Sequence, residues 1–267
     1  MMIKKMPDRE DIFVVGYPKS GNTWLTRLLA RALDCTVARY TINDTNPEIA
    51  SDLNSEVTGN GGKSISKLHL LPEEFENRFA PVKGRKVVYI KRDVKDILVS
   101  QFFYVKHKYP EEFVLKQIPR EFLLRPGKML RYLESRRRLR RYIKSFMGSG
   151  REQCAPLVHC NAWREYLSSR GGEIVSVGTS YEALIGNTFN ELKRVIQELH
   201  EEAGDDDIWN AIRQEDFKNR RSEVEQSNTQ LTFGKEFNLR FLRKGEPGDY
   251  KRFLTDRQIS WIDKLTG

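Results

Sequence analysis

Apolar residues fall in short runs, each followed by a stretch in which they recur with helical spacing. Ile12 to Gly16 is the first run, and from Thr23 onward the apolar positions repeat with a period of about 3.6 residues. Val87 to Ile90 and Ile174 to Val177 are two further runs with helical patterns behind them. The helical positions are Trp24, Leu25, Leu28, Leu29, Ala32 and Leu33, then Val94, Ile97 and Leu98, then Leu192, Val195, Ile196 and Leu199. Repeated strand, turn and helix units predict a mainly parallel sheet flanked by helices.

The segments between these units differ in character. Residues 104 to 170 are predicted to be mainly helical, whereas residues 43 to 66 are polar, rich in turn formers and predicted to border a pocket. Asp93 is predicted to be the N-cap of the helix after the second strand, and Thr255 with Gln258 predicts a capping box for a last helix. No composition shift marks a linker, so we expect one three-layer α/β domain over residues 1–267.

Composition narrows the class of protein. Hydrophobic residues make up 39% of the 267 residues and charged residues 31%, which is typical of a folded globular chain. No apolar segment approaches the roughly 18 residues of a membrane helix, and the first residues do not resemble a signal peptide, so we expect a soluble cytoplasmic protein. Three cysteines, Cys35, Cys154 and Cys160, favour a reducing compartment over a disulfide framework. His159 and Cys160 lack a second ligand pair, so no metal site is predicted.

A net charge of +9 favours an anionic partner, which could be nucleic acid, a membrane surface or a small phosphorylated ligand. The densest basic run contains Arg136, Arg137, Arg138, Arg140 and Arg141 within a helical pattern. It lacks interleaved aromatic residues and a recognisable module, so a solvated helix face is favoured over a nucleic-acid site. Nucleic-acid binding is kept as an alternative at this point.

The turn after the first strand contains residues typical of a phosphate-binding site. It reads GYPKSGNTW from Gly16 to Trp24, between a predicted strand and a predicted helix. Backbone N–H groups of such a turn and the helix dipole attract a phosphate group. Lys19 adds a charge, Ser20 and Thr23 add hydroxyls, and Trp24 could offer a flat face to a base. In a Walker A loop the lysine follows the last glycine, but here it precedes Gly21, so a kinase with a divergent loop is only an alternative.

Four segments taken in order resemble the cytosolic-type sulfotransferases, which transfer a sulfonyl group from 3′-phosphoadenosine 5′-phosphosulfate (PAPS). YPKSGNTW at Tyr17 to Trp24 is similar to their 5′-phosphosulfate motif, and KLHLLP at Lys67 to Pro72 to the segment of their catalytic histidine. VVYIKRDVKDILVSQ at Val87 to Gln101 resembles the 3′-phosphate segment, and FLRKGEPGDYKRFLT at Phe241 to Thr255 the carboxyl-terminal motif. The resemblance implies a fold with a P-loop-like phosphate-binding turn and an enzyme that sulfonates a small molecule.

The resemblance also implies roles for individual residues. His69 would be the general base, Lys19 would neutralise charge on the leaving oxygen and Lys67 would assist transfer. The implied nucleotide contacts are Lys19, Ser20, Gly21, Asn22, Thr23 and Trp24 for the 5′-phosphosulfate and adenine, Arg92, Ser100, Arg243, Lys244 and Gly245 for the 3′-phosphate, and Tyr181 and Phe217 for the adenine. The expected product is adenosine 3′,5′-bisphosphate (PAP), and no metal ion is required.

Departures from the family pattern limit what the resemblance implies. Asn22 replaces a usual hydroxyl residue, Tyr250 replaces a usual tryptophan, and the residues around Phe217 lack the usual hydroxyl groups. The usual dimerisation motif has no match near the carboxyl end, which leaves the oligomeric state open.

The acceptor pocket is expected to be formed by residues 43 to 66, 102 to 125 and 146 to 170. Phe102, Phe103, Tyr104 and Tyr109 indicate either a ring-containing acceptor or helix packing.

Overall fold

The computed structural model describes residues 11–38, 59, 62–80, 83–105, 110–148, 154–216, 218–219, 222 and 245–266. These residues form two compact units. The first is drawn from residues 1–91 and 162–245, and the second from residues 92–161 and 246–267.

A five-stranded parallel sheet is the centre of the first unit. Its strands are β1 (Asp11–Val15), β2 (Thr36–Ala38), β3 (Ser64–Leu68), β4 (Lys86–Lys91) and β5 (Val175–Ser180). Their order is β2-β3-β1-β4-β5, so β1 is the middle strand and pairs in parallel with β3 on one side and β4 on the other. The carboxyl ends of β1, β3 and β4 therefore open onto the same edge of the sheet, where ligands of such sheets bind.

Helices cover both faces of this sheet. They are α1 (Asn22–Ala32), α2 (Pro72–Phe79), α5 (Ala155–Ser169), α6 (Tyr181–Gly186), α7 (Thr188–Glu198) and α8 (Asp205–Gln214), of which α5 begins in the second unit. On one face, Ile12, Val14 and Val88 are buried against apolar residues of α1, α7 and α8. On the other face, Phe13 packs on Phe75 of α2. Alternate residues of β1 thus point to opposite faces, and the predicted three-layer α/β arrangement is confirmed.

The second unit is helical. It contains α3 (Val94–Val105), α4 (Pro126–Met147), α9 (Asp256–Thr266) and short 3₁₀ helices at Glu111–Phe113, Arg120–Phe122 and Asp249–Arg252. Leu98 and Phe102 of α3, Leu139 and Ile143 of α4, and Ile262 of α9 share one buried cluster. Both predicted caps are confirmed. Asp93 accepts a hydrogen bond from the backbone N–H of Lys95 (2.8 Å). Thr255 and Gln258 form reciprocal hydrogen bonds of 2.9 and 3.3 Å.

Two strands were missed by the periodicity of the sequence. β3 lies partly within residues 43 to 66, which were predicted to be a polar border of a pocket, and β2 follows a cysteine after α1. Ser64, Ile65 and Ser66 are all buried. Because the serines fill interior positions between neighbouring strands, their polar side chains conceal the strand from a hydrophobicity pattern.

Candidate active site

The turn between β1 and α1 has the backbone of an anion-binding loop. Lys19 and Gly21 have positive φ angles of 73° and 98°, and the N–H of Ser20 donates to the carbonyl of Tyr17 (3.2 Å). α1 begins directly afterwards at Asn22, so its first N–H groups border the same loop. A non-glycine residue in the left-handed region is strained, and such strain is typical of functional sites. Concave loops of this kind bind phosphate through backbone N–H groups.

Both glycines of the loop are required by close neighbours. A Cβ atom on Gly16 would lie 2.4 Å from the carbonyl oxygen of Ile90, and one on Gly21 would lie 2.6 Å from Cδ2 of Tyr181. Either contact is far inside van der Waals distance. The loop is thus pressed against β4 on one side and against the first residue of α6 on the other.

Asn22 serves the loop through its side chain. The residue is buried, and its Nδ2 donates to the carbonyl oxygens of Gly16 (3.0 Å) and Leu68 (3.5 Å), at the ends of β1 and β3. An amide can reach two carbonyl acceptors where a hydroxyl has a single hydrogen to donate. The departure from the family pattern at Asn22 therefore ties the loop to two strands.

The loop suits an anionic ligand. Ser20 is 1% exposed, and its Oγ has no hydrogen-bond partner within the described part of the chain. A buried hydroxyl without a partner is costly unless a ligand completes it. Together with the left-handed turn and the helix N-terminus, this hydroxyl fits a phosphate or phosphosulfate group.

His69 lies beside this loop, just beyond the end of β3. Its Nδ1 is 2.7 Å from the carbonyl oxygen of Gly16, which can only accept a hydrogen bond. A neutral imidazole in this position therefore carries its hydrogen on Nδ1 and its lone pair on Nε2. The carbonyl of Gly16 thus selects the tautomer whose Nε2 can accept a proton.

Lys67 lies two residues earlier, near the end of β3. Its Nζ donates to Oγ1 of Thr23 in the first turn of α1, at 3.3 Å. Burial lowers the pKa of Lys67 from 10.5 to about 8, because the charged ammonium loses hydration. A cation at this position becomes more favourable when a negatively charged group binds beside it.

Trp24 and Tyr181 form an aromatic corner next to Gly21. Their ring centroids lie 6.0 Å apart with an interplanar angle of 65°. The indole N–H of Trp24 donates to the backbone carbonyl of Glu215 (3.1 Å), which sets the orientation of the ring. The structure thus brings the sequence-predicted Lys19, Ser20, Gly21, Asn22, Thr23, Trp24, Lys67, His69 and Tyr181 together around one loop.

Sequence reasoning missed the ionic cluster behind Trp24. The carboxylate of Glu215 is buried and accepts hydrogen bonds from Nε (2.6 Å) and Nη2 (3.0 Å) of Arg27 and from Nε of Arg31. Arg27 and Glu215 are 188 residues apart in the sequence. In the sequence, the acidic residues Glu215 and Asp216 beside Phe217 are unusual for the family motif. They do not indicate that Glu215 would pair with arginines of α1.

Arg92 and Ser100 belong to the second unit, where Arg92 precedes α3 and Ser100 lies within it. Asp96, on the same face of α3 as Ser100, accepts hydrogen bonds from the backbone N–H groups of Gly248 (2.7 Å) and Tyr250 (3.2 Å). Burial raises the pKa of Asp96, and the hydrogen bond from Gly248 opposes that rise. The second unit therefore fixes the part of the carboxyl-terminal motif after Gly245. Phe217, Arg243 and Lys244 lie outside the described residues.

The aromatic residues expected either to contact an acceptor or to pack between helices can be compared with the structure. Phe102 and Phe103 are buried in the second unit, and Phe103 packs on Phe253 with ring centroids 4.9 Å apart. Of the two interpretations of these aromatic residues, helix packing therefore holds for this pair. Tyr109 lies outside the described residues. Within the described ranges, no cluster of three His, Cys, Asp or Glu side chains is arranged to hold a metal ion.

Arg136 corrects the interpretation of the basic run. It is partly buried, and its Nη1 donates to the carbonyl oxygens of Val114 (2.8 Å) and Phe253 (2.5 Å). Arg137, Arg138, Arg140 and Arg141 are exposed, as a solvated helix face requires. The run is thus a solvated face with one arginine turned inward to join two backbone segments. Among the described helices, none has both the length and the apolar composition to cross a membrane.

Comparison with known proteins assigns the chain to a family. The model of the sulfotransferase domain matches residues 9–267 and so covers both units. The 3-beta-hydroxysteroid sulfotransferase of Cavia porcellus is 27% identical over 96% of this chain and 82% of its own length. The amine sulfotransferase of Oryctolagus cuniculus is 21% identical over 99% and 83%. The crystal structure of mouse sulfotransferase SULT7A1 complexed with PAP has the same fold, with a TM-score of 0.58, 19% identity and coverage of 96% and 82%. The chain belongs to the sulfotransferase domain family.

Proposed function

We propose that this protein transfers a sulfonyl group from PAPS to a hydroxyl or amine of a small-molecule acceptor, with His69 as the general base. The observation that carries the proposal is the hydrogen bond between Nδ1 of His69 and Gly16 at the phosphate loop (2.7 Å). This contact supports an imidazole that carries its hydrogen on Nδ1, beside a loop that suits an anion. The relatives named as hydroxysteroid and amine sulfotransferases support a small-molecule acceptor.

The proposed nucleotide contacts are supported by the geometry of the loop and by the family motifs. Backbone N–H groups from Ser20 to Thr23 and the Ser20 hydroxyl would hold the 5′-phosphosulfate, while Trp24 and Tyr181 would hold the adenine. By resemblance, Arg92 and Ser100 would bind the 3′-phosphate. The same resemblance adds Arg243, Lys244 and Gly245 to the 3′-phosphate contacts and Phe217 to the adenine contacts. We propose that residues 1–267 act as one sulfotransferase domain, and that its free cysteines belong to a cytoplasmic protein.

When bound, PAPS supplies the sulfonyl group, whose bond to the 5′-phosphate oxygen breaks as the bond to the acceptor forms. His69 accepts the acceptor's proton on Nε2, a task suited to imidazole because its ordinary pKa lies near neutrality. Lys19 offsets the negative charge that grows on the departing phosphate oxygen. Lys67, held at Thr23, stabilises the sulfonyl oxygens. The product is PAP.

Thermal unfolding with added nucleotides tests the ligand. A ligand at a hundred times its dissociation constant stabilises the folded chain by about 2.7 kcal/mol. In a chain of this length that is a rise in melting temperature of about 5 to 10 °C. We expect PAP to produce this rise and 5′-AMP to produce less. An equal or larger rise with ATP and magnesium would favour the divergent kinase instead.

Two substitutions test the mechanism. His69→Ala should abolish sulfonyl transfer and leave PAP binding intact, because it removes the base and no phosphate contact. Lys19→Ala should also abolish transfer and should weaken PAP binding, since it removes a charge from the loop. His200→Asn is the matched control, because His200 is exposed and has a positive φ of 55° that asparagine tolerates. Near-normal transfer rates in both site variants would overturn the mechanism.

A further inference from the structure

Three residues on one side of α1 form hydrogen bonds with the same residue, Glu215. Trp24, Arg27 and Arg31 are spaced three and four residues apart and so face the same side of the helix. Each of them donates a hydrogen bond to Glu215. Glu215 is the C-cap residue directly after α8, and its N–H donates to the carbonyl of Ala211 (3.0 Å).

Glu215 makes two different kinds of contact. Its carboxylate is held by the two arginines, and its backbone carbonyl holds the indole N–H of Trp24. Arg27 and Glu215 are both 2% exposed, so the pair is shielded from water and from salt. A paired guanidinium and carboxylate fix each other's position in two directions. The backbone of Glu215 is therefore fixed, and the hydrogen bond to Trp24 with it.

Charge at the end of α8 strengthens the arrangement. The last carbonyl groups of a helix carry partial negative charge, which favours cations close to them. Arg31 donates through Nη1 to the side chain of Gln214 in addition to its bond with Glu215. Both arginines of α1 thus hold the carboxyl end of α8 against the residue that faces the nucleotide base.

We propose that Glu215 is a positioning residue for base recognition: pinned by Arg27 and Arg31, it holds Trp24 in the orientation that receives the adenine. This inference rests on the proposed function, because it assigns the adenine to Trp24. It adds to that function a structural reason for selectivity: the contact between Glu215 and Trp24 makes the site prefer an adenine nucleotide. Glu215 contacts neither phosphate in this scheme.

The test compares the affinities of two ligands that differ only in the base. PAP and guanosine 3′,5′-bisphosphate carry the same phosphates, so base recognition alone is reported by the dissociation constant of the guanosine ligand divided by that of PAP. We expect Glu215→Gln to weaken PAP about tenfold and to leave the guanosine ligand nearly unchanged. The ratio should therefore fall about tenfold.

Glu201→Gln is the matched control. The Glu201 carboxylate is also nearly buried and is also held by two cations, Lys63 (2.7 Å) and Lys86 (2.5 Å), within the same unit. It should lower the melting temperature without changing the ratio. If Glu215→Gln weakens both nucleotides equally, or weakens neither, Glu215 has only a structural role and the inference is wrong.

A double-mutant cycle tests whether Glu215 acts on base recognition through Trp24. Trp24→Phe keeps an aromatic ring but removes the indole N–H, so it should lower the same ratio. In that background Glu215→Gln should have little further effect, because both changes break one chain of contacts. Additive effects would overturn the inference.

Two further outcomes are distinguishable. If the Glu215 variant does not fold, Arg31→Gln replaces it, since Arg31 is partly exposed and its loss leaves Arg27 in place. Arg31→Gln should lower the ratio by a smaller factor, and an unchanged ratio would overturn the inference. A wild-type chain that binds neither bisphosphate would overturn the proposed function itself, together with the inference that rests on it.

Discussion

Single residues at the phosphate loop combine tasks that the sequence alone assigns separately. The carbonyl of Gly16 accepts hydrogen bonds from both Asn22 and His69, so one backbone group supports the loop and sets the tautomer of the imidazole. Gly21 combines a left-handed backbone with contact against Tyr181. Replacing Gly16 or Gly21 is therefore expected to disturb more than one function.

Gly21→Ala is the first prediction at this scale. The new Cβ would meet the Tyr181 ring at 2.6 Å and would occupy a backbone with φ of 98°. We expect a loss of about 1–3 kcal/mol of stability from strain and a loss of PAP binding, measured by urea unfolding and calorimetric titration. Gly84→Ala is the control, because Gly84 has a φ of 80° with nothing within 4 Å of its Cβ position. Equal effects on PAP binding in both variants would contradict the expected contact with Tyr181.

Lys67 gives a pH-dependent prediction. Between its folded-state pKa of about 8 and its ordinary value of 10.5, the unfolded chain keeps a proton that the folded chain has released. The free energy of unfolding should therefore rise with pH in this window. We expect wild type to gain up to about 2 kcal/mol over Lys67→Met between pH 7.5 and 9.5, measured by urea unfolding.

Lys95 is the control for Lys67, because its pKa is shifted in the opposite direction. Lys95 pairs with Asp93 and Asp263, and its pKa is raised despite a desolvation cost. Its stabilising contribution is present below pH 10.5 and is lost only as pH rises through the raised value. Lys95→Met should therefore show no pH-dependent difference from wild type over the same interval. A flat difference for Lys67→Met as well would show that Lys67 stays protonated.

At the scale of elements, α3 links two motifs that are far apart in the sequence. Asp96 lies between Arg92 and Ser100 and binds the backbone of Gly248 and Tyr250. The turn at Gly248 has a positive φ of 79° and leads into the 3₁₀ helix Asp249–Arg252. A carboxylate that accepts two N–H groups thus holds the carboxyl-terminal motif on α3.

Asp96→Asn should release this connection. One of the two N–H donors would then face the amide NH₂ group instead of an oxygen, which costs about 1–3 kcal/mol of stability. If the motif also closes over the 3′-phosphate, affinity for PAP should fall about tenfold while affinity for 5′-AMP stays the same. Asp263→Asn is the control, because Asp263 is about half exposed and pairs with Lys95 rather than with the backbone of Gly248 and Tyr250, so its loss is expected to change little. Equal losses for both nucleotides would show that Asp96 acts only on stability.

At the scale of the whole molecule, the basic residues behind the net charge of +9 have two different roles. The exposed arginines of α4 contribute to the general attraction of anions, whereas Arg136 joins backbone segments in the second unit. A positive surface adsorbs polynucleotides weakly and without sequence preference, and salt removes such binding.

A salt titration is expected to separate the two kinds of binding. Adsorption of duplex and single-stranded oligonucleotides should vanish between about 50 and 200 mM salt. PAP should still bind, because the contacts proposed for its 5′-phosphate lie in the loop of the buried Ser20. Fluorescence anisotropy with labelled oligonucleotides measures the first, and thermal shift measures the second. Oligonucleotide binding that survives salt and is competed by PAP would favour the nucleic-acid alternative.

The sequence by itself determined the features that depend on neighbouring residues. The β1, α1, β4, α3, β5 and α7 elements, the two caps and the phosphate loop all follow from periodicity, capping residues and motifs in which the relevant residues lie within a few positions of one another. The strands β2 and β3 are exceptions, and in β3 the buried Ser64 and Ser66 give no hydrophobic signal. The family motifs added His69, Lys67 and Tyr181, which local patterns alone do not connect to the loop.

Tertiary structure decided every feature that joins distant segments. The tautomer of His69 depends on Gly16, the orientation of Trp24 depends on Glu215, and the burial of Arg136 depends on Val114 and Phe253. Each is a hydrogen bond whose partners come together only when the chain has folded, and whose strength depends on the exclusion of water around it. A sequence shows which groups can donate and accept, whereas the packing of the fold selects which of them meet.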